Sequence, residues 1–337
     1  MLSWRRFCWI NAGLLLLLLG CVAAGALLGP GGGAWSELWP LEPERNPAAA
    51  TFLLLRLPRT LLACLVGMAL SAVGVAFQAL LRNPLADPFI MGVSGGAALG
   101  GTLALAIAGG LLGGGLLLQA PAAFLGAVAA TLLVYRLGRV AGRVDTTTVL
   151  LVGVVFNAFA SAVIMFLKTV VSADKAQEML FWLMGALNAP AYSTLGWLAI
   201  GVLVGVVALV AQAAGMNAMS LGEQGAAHLG LDVERFKRRV FFSASLLTGL
   251  AVAVSGLVGF VGLIVPHLCR LLLGPDHRLL VVASALAGGA FLVLADLAAR
   301  LLFVPLTTEP PVGVVTAFLD GPFFLLLLRR RHQVAFD

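Results

Sequence analysis

Charge is what this sequence has least of. Only 11% of its 337 residues are Asp, Glu, Lys or Arg, against 61% apolar. A soluble globular chain carries about 25% charged and about 45–50% apolar residues. An ordinary soluble domain and a disordered chain are both excluded. Cysteine is scarce: Cys8, Cys21, Cys64 and Cys269 stand far apart with no C-x-x-C spacing, which signals neither a zinc site nor a disulfide framework. No Gly-Lys pair occurs, so the chain has no P-loop with which to bind ATP itself. No stretch alternates in the manner of a membrane barrel. No basic run is interleaved with aromatics, so the net charge of +6 reads as topological charge and not as a nucleic-acid surface.

What the sequence does have is long apolar runs. A membrane-crossing helix needs about 20 consecutive apolar residues. Ten segments qualify or nearly do, at 7–28, 57–81, 89–109, 112–134, 147–167, 191–214, 240–258, 260–273, 279–299 and 311–328. The fold class is therefore all-α, a polytopic membrane protein with about ten transmembrane helices in one domain, 1–337. Arg5, Arg6 and the Leu18-Leu-Gly-Cys21 box imitate a lipoprotein signal peptide, but the apolar run continues to Leu28 and suits a first span. Pro40, Pro43 and Pro47 predict a first long loop, and Gly113-Gly114-Gly115 a tight turn. Val240 to Cys269 is thirty residues without charge, read as a full helix followed by a short one broken around Gly256, Gly259, Gly262 and Pro266.

Charge bias sets the sidedness. With ten segments and a cytoplasmic N-terminus, fifteen basic residues fall inside, while Arg45, Arg56, Arg59, Lys168, Lys175 and Arg300 fall outside. Merging the seventh and eighth segments would leave eleven inside against ten outside and abolish the bias. Ten segments with both termini in the cytoplasm fit the positive-inside rule better.

Two stretches concentrate unusual chemistry. The inside loop Met219 to Arg239 is punctuated by Gly222, Gly225, Ala226, Ala227 and Gly230. Small residues permit close docking of another protein, and Glu223 with the basic end offers charge for register; the alternative is a plain surface loop. In Arg82 to Gly96, Asn83-Pro84 and Asp87-Pro88 force a stiff non-helical turn, because residues before proline avoid the helical region. This reads as a hinge or constriction at the inner membrane face, or as a structural turn whose freed backbone groups Asn83 and Ser94 satisfy. Gly92-Val-Ser94-Gly-Gly96 also fits the hydrolase pattern G-x-S-x-G, which needs a base, and His267 is the only histidine within an apolar segment. Asp296 and Asp320 fall in or near apolar segments and offer a proton relay for a secondary transporter. For Asp296 the alternative is a pair with Arg300, one helical turn on.

Four blocks, in order, resemble the FecCD permease family, the membrane subunits of type II ABC importers for ferric siderophores, haem and cobalamin. They are Arg56-Leu-Pro-Arg59 with Gly67, Leu70, Gly74, Gln78, Arg82-Asn-Pro-Leu-Ala-Asp-Pro88 and Gly92-Val-Ser-Gly-Gly-Ala97; Leu221-Gly-Glu223 with Ala227-His-Leu-Gly230; Gly259-Phe-Val-Gly-Leu-Ile-Val-Pro-His267 with Arg270 and Gly274-Pro-Asp-His-Arg278; and Glu309-Pro-Pro-Val-Gly-Val-Val-Thr316 with Gly321-Pro-Phe-Phe324. They span about residues 50 to 330. Asp320 departs from the pattern, where a small residue is usual. The resemblance implies the type II importer permease fold, a homodimer in the bacterial inner membrane, two ATP-binding cassette subunits, and a periplasmic substrate-binding protein. It implies coupling to the ATPase through Leu221, Gly222, Glu223, Ala227, Leu229 and Gly230 in the 219–239 loop. It implies a cytoplasmic gate at Asn83, Pro84, Leu85, Thr146 and Thr147, and docking of the binding protein at Arg56, Arg59 and Arg300. This chain then binds no metal or cofactor, ATP and Mg belong to the ATPase, and no residue is catalytic. Phe181-Trp-Leu-Met-Gly185 is somewhat like corrinoid permeases; ferric siderophore, haem and corrinoid all stay open.

Overall fold

The structure, a computed structural model, describes residues 4–29, 38–111, 115–140, 142–306, 309–319 and 321–322. Among the described residues, twelve helices carry the bundle: α1 (Trp4–Leu27), α2 (Pro47–Leu80), α3 (Val93–Leu111), α4 (Gly115–Leu137), α5 (Thr146–Val170), α6 (Ala173–Leu183), α7 (Tyr192–Val210), α8 (Ala213–Met219), α9 (Gly222–His228), α10 (Val233–Ser255), α11 (Val261–Leu273) and α12 (His277–Leu306). A last helical stretch occupies 312–319. Each of the ten apolar segments carries a helix. Among the described residues, seven helices are long and apolar enough to cross a membrane, and Val93–Ile107 and Val261–Leu273 are shorter apolar helices. Gly113, Gly114, Asp320 and the basic run Arg329 to Arg331 lie outside the described residues.

The core is built around α2, which packs against α10, α11 and α12. Without water to drive association, membrane helices hold together by close packing of small residues. A Cβ on Gly67 would lie 2.2 Å from the Gly288 carbonyl oxygen of α12, and one on Gly74 would lie 1.8 Å from that of Gly262 on α11. Pro266 supplies the reason for the second contact. It has no N–H to give the carbonyl four residues back, so the Gly262 oxygen is left over and turns to α2. Gln78 of α2 adds a hydrogen bond from Nε2 to the Leu263 carbonyl at 3.1 Å. α3 and α4 pair by the same device, since a Cβ on Gly126 would meet the Gly96 carbonyl at 2.2 Å.

The structure departs from the sequence reading in four places. The break in the 240–269 run lies wholly at 256–260, where Gly256 ends α10 at φ +67°, and Pro266 sits inside the regular helix α11. The loop expected around Pro47 is helical from that residue, with Pro47 at the first helical position and a π-helical stretch at Thr51–Arg56. Residues 173–183, which the sequence reading left between segments, form α6. Arg139–Val140 and Arg143–Val144 pair as a short antiparallel hairpin between α4 and α5.

Candidate coupling and docking sites

The contacts sort the functional residues to two ends of the bundle. At one end lie the N-terminus of α1, the C-terminus of α2, the hairpin, and α8 and α9. At the other lie the C-termini of α1 and α12 and the N-terminal half of α2.

At the first end, the 219–239 loop folds into α9 between two glycines, Gly222 at φ +86° and Gly230 at φ +84°. Ala226 is buried against the bundle, whereas Leu221 and Leu229 are 67% and 66% exposed. Ala227 and Gly230 share that open side. Two bulky apolar side chains flanking a two-turn helix in this way make a surface suited to another protein. Glu223 faces inward. Its Oε1 lies 2.7 Å from Nζ of Lys237, which is 3% exposed on α10. Lys237 Nζ also donates to the Val144 carbonyl at 3.0 Å, and Glu234 accepts from the Val144 N–H at 2.9 Å. Asp145, the next residue, caps α5 by accepting from the N–H of Thr148 at 2.7 Å and from its hydroxyl at 2.6 Å. Thr146 and Thr147 open α5 at this cap. Hydrogen bonds from the Thr148 hydroxyl and N–H hold the Asp145 carboxyl below the usual carboxylate range. α8 is tied in separately: Asn217 Nδ2 donates to Asp276 at 2.8 Å, and its Oδ1 accepts from the His277 N–H at 2.9 Å. The sequence reading missed Lys237 as a functional residue. A lysine inside a run of basic residues looks like topological charge, and nothing local marks it as buried.

The turn from Arg82 to Gly92 is rigid and docked on α5. Arg82 adopts φ +48°, a conformation costly for a residue with a Cβ. Asn83 Oδ1 accepts from the Leu85 N–H at 2.9 Å, and Asp87 caps the Pro88–Met91 turn through the Phe89 N–H at 2.8 Å. Burial pushes the Asp87 carboxyl up to about 6, against the opposing pull of that N–H. The Phe89 carbonyl accepts from Ser94 Oγ at 3.0 Å and from Asn157 Nδ2 of α5 at 2.8 Å. Ser94 is thus spent on the turn and is not presented to a base. Pro84 and Leu85 are half-buried, and Asn83 is exposed. Both expected gate segments therefore anchor on α5.

At the other end, Asp296 is fully buried between two arginines. Arg59 of α2 lies 2.8 Å away and Arg300, one turn along α12, lies 3.0 Å away. Arg59 also pairs with Glu309, and Arg300 donates to the Gly25 carbonyl of α1 at 2.8 Å. The ion pairs join α2, α12 and the segment before the last helix, and the Arg300 hydrogen bond adds α1. Asp296 is thereby a structural counter-ion, as the spacing to Arg300 allowed. Arg59 and Arg300, expected at the docking surface, point inward; Arg56 is half-buried and donates to the Leu27 carbonyl at 3.1 Å. Beside them a cavity of about 360 Å³ is lined by Arg59, Gln119, Glu178, Phe181, Trp182, Asn188 and Glu309 among others. Trp182 fixes α6 in place: a Cβ on Gly101 would strike its ring at 2.4 Å, and one on Gly256 would strike its carbonyl at 2.0 Å.

Comparisons with known proteins agree with one another. The sequence model of the FecCD transport family matches residues 14–330. The chain is 44% identical to the cobalamin import system permease protein BtuC of Halobacterium salinarum over 278 residues, 82% of this chain and 73% of that one. It is 38% identical to the hemin transport system permease protein HmuU of Yersinia pestis over 334 residues, 95% of this chain and 96% of that one. Among solved structures, it resembles a proposed metal-chelate type ABC transporter in an inward-facing conformation, with a TM-score of 0.82, 30% identity, and coverage of 96% of this chain and 99% of that one.

Proposed function

The chain belongs to the FecCD transport family, and from that membership we propose that it is the membrane-spanning permease subunit of an ABC importer for a metal chelate of the cobalamin, haem or ferric-siderophore class. The observation that carries the reading is a family match running almost end to end, shared by relatives named for cobalamin and hemin import. The permease works as a homodimer in the inner membrane with both termini cytoplasmic. ATP and Mg belong to two cassette subunits, and a periplasmic binding protein delivers the chelate.

The first end of the bundle is then cytoplasmic. The cassette subunit rests on α9 and covers Leu221, Ala227, Leu229 and Gly230. Movement of α9 passes through Glu223 and Lys237 to Val144 and the cap of α5, where Thr146 and Thr147 meet the gate. Asn83, Pro84 and Leu85 reach the same helix through the Phe89 and Asn157 contact. The permease supplies two arrangements of these segments, and the ATPase cycle selects between them. At the outer end, Arg56 receives the acidic binding protein, and Arg59 and Arg300 join only when Asp296 and Glu309 yield them. A secondary transporter driven by protons through Asp296 is disfavoured, because both oxygens of that carboxylate already lie at salt-bridge distance from arginines that tie three elements of the fold together.

The test is uptake of labelled cobalamin, haem and a ferric siderophore into proteoliposomes holding the permease, its cassette subunits and its binding protein. Uptake of one chelate that requires internal ATP supports the reading. Uptake that survives without ATP and collapses with the proton gradient overturns it.

A further inference from the structure

A cavity of about 1020 Å³ adjoins the Arg82–Gly92 turn and α8, and neither the coupling nor the docking role uses it. It opens at the end of the bundle read as cytoplasmic, between the N-terminus of α1, the C-termini of α2 and α11, and α8. Its walls carry three arginines, Arg6, Arg82 and Arg270, and one carboxylate, Asp276. That carboxylate is already engaged by Asn217 Nδ2 at 2.8 Å and the Arg278 N–H at 3.0 Å. Burial works to raise it, but those hydrogen bonds and the nearby Arg278 charge keep the Asp276 carboxyl below its usual range, so it stays ionised and offsets only one of the three arginine charges. Arg6 is held across the mouth by its hydrogen bond to the Leu273 carbonyl at 3.3 Å. The cavity is built to receive an anion.

Two further lining groups refine the chemistry. Gln78 is 2% exposed; its Nε2 donates to Leu263, and its Oε1 has no partner. His277 is 6% exposed, and its Nδ1 faces the accepting Oδ1 of Asn217 at 2.8 Å. The proton therefore sits on Nδ1, and the unpartnered Nε2 offers a lone pair. Two buried acceptors without donors stand beside three arginines. The complement is an anion that also carries hydroxyl groups, since an orphaned buried acceptor is costly until a donor meets it. The mouth is apolar: Leu271 and Leu272 of α11 are 62% and 78% exposed and also line the cavity.

We propose that this cavity is a binding site for an anionic phospholipid with a hydroxylated headgroup, of which phosphatidylglycerol is the simplest. The phosphodiester lies among Arg6, Arg82 and Arg270, where guanidinium groups match phosphate oxygens. The glycerol hydroxyls donate to Gln78 Oε1 and His277 Nε2. The acyl chains run over Leu271 and Leu272. Basic pockets between helices at the cytoplasmic face suit such headgroups, because the leaflet concentrates the ligand beside them. A bound lipid here touches the strained Arg82 turn and α8 together, next to the coupling helix. The sidedness of the site rests on the proposed function; the chemistry of its walls does not.

The experiment is intact-complex mass spectrometry of the permease with its cassette subunits, equilibrated with phosphatidylglycerol, phosphatidylethanolamine or phosphatidylcholine. The expected result is at least tenfold higher retention of phosphatidylglycerol by the wild type. Arg82→Gln with Arg270→Gln should abolish the preference, while Arg139→Gln with Arg143→Gln, on the exposed hairpin, should leave it intact. In a parallel comparison of phosphatidylglycerol with phosphatidic acid, Gln78→Leu should reduce the preference for the hydroxylated headgroup. Equal retention of all three lipids by the wild type overturns the proposal whether or not the variants fold. So does complete displacement by free glycerol 3-phosphate, which would make this a soluble phosphate-ester site. Binding to the permease alone but never to the complex also overturns it, because the cassette subunit then covers the cavity. Chelate uptake by the same complexes is scored separately: lost uptake with retained lipid preference would sink the transport reading and leave the lipid site standing.

Discussion

Lys237 Nζ sits 2.7 Å from Glu223 Oε1 and, on its other side, donates to the Val144 carbonyl at 3.0 Å. One buried ammonium thus ties α9, the proposed coupling helix, to the hairpin that leads into α5. Burying a charge is costly unless it is paired and hydrogen-bonded, and here both conditions are met. The clasp is therefore strong along its own length and intolerant of losing a partner.

Lys237→Met is expected to uncouple the transporter. ATP hydrolysis continues, and chelate uptake per ATP falls several-fold, because α9 can then move without dragging the hairpin. Glu223→Gln, which leaves a hydrogen bond, should give a smaller loss. Paired measurement of hydrolysis and uptake in proteoliposomes checks this; equal loss of both in Lys237→Met would mean that the residue serves folding alone.

The exposed pair flanking α9 makes a second test. Leu221→Glu with Leu229→Glu places charge where the cassette subunit is proposed to sit, so co-purification of that subunit should fall by tenfold or more. Stability should change little, since both side chains already face solvent. Undiminished co-purification would remove α9 from the interface.

The outer ion-pair group predicts a sharp asymmetry. Arg300→Ala leaves Asp296 buried with half of its counter-charge and should cost about 3–5 kcal/mol. Asp296→Asn leaves two arginines facing each other across a neutral amide and should be similarly damaging. Arg56→Ala, at a half-buried position, should cost less than about 1 kcal/mol yet weaken binding-protein association. Thermal melting of the three variants, with a binding-protein pull-down, separates the structural from the docking role. A mild Arg300→Ala would show that the network is dispensable.

Asp87 gives a pH dependence with a defined sign. Its carboxyl loses a proton near 3.8 in the unfolded chain and at about 6 in the folded one. Below 3.8 both states are protonated and the group is neutral to stability. Between 3.8 and about 6 the unfolded state has ionised while the folded state still holds the proton, so stability falls across that window by about 2–3 kcal/mol in all and is level above it. Asp87→Asn keeps an oxygen for the Phe89 N–H and carries no charge. It should raise the melting temperature at pH 8 and leave it unchanged near pH 3.5. A pH-independent gain would point to something other than ionisation.

Gly74→Ala tests the closest helix approach. The new Cβ would lie 1.8 Å from the Gly262 oxygen, so α2 and α11 must separate. Overpacking of this kind costs about 1–3 kcal/mol or more. Gly196→Ala, where nothing lies within 4 Å, is the control and should be neutral or slightly stabilising. Equal behaviour of the two would contradict the contact.

Much was legible in the sequence because a membrane imposes it locally. Apolar runs of span length located the helices, and the prolines at 84 and 88 located the rigid turn, since both follow from backbone hydrogen bonding within a few residues. The i,i+4 spacing of Asp296 and Arg300 carried their pairing. The sequence could not place Arg59 in that pair, because its partners lie 237 and 250 positions away and only the packing of α2 on α12 brings them together. Nor could it separate Lys237, buried in a clasp, from its exposed basic neighbours. Pro266 was read as a break because proline removes a hydrogen bond; whether that loss kinks the helix depends on who takes the spare carbonyl. Here α11 stays helical across Pro266, with the Gly262 carbonyl set against the bare face of Gly74. The sequence alone determined that this is a bundle of apolar helices with basic ends and without a P-loop. Tertiary structure decided which charges face one another, for burial turns a distant pair into a partner and leaves a near one in solvent.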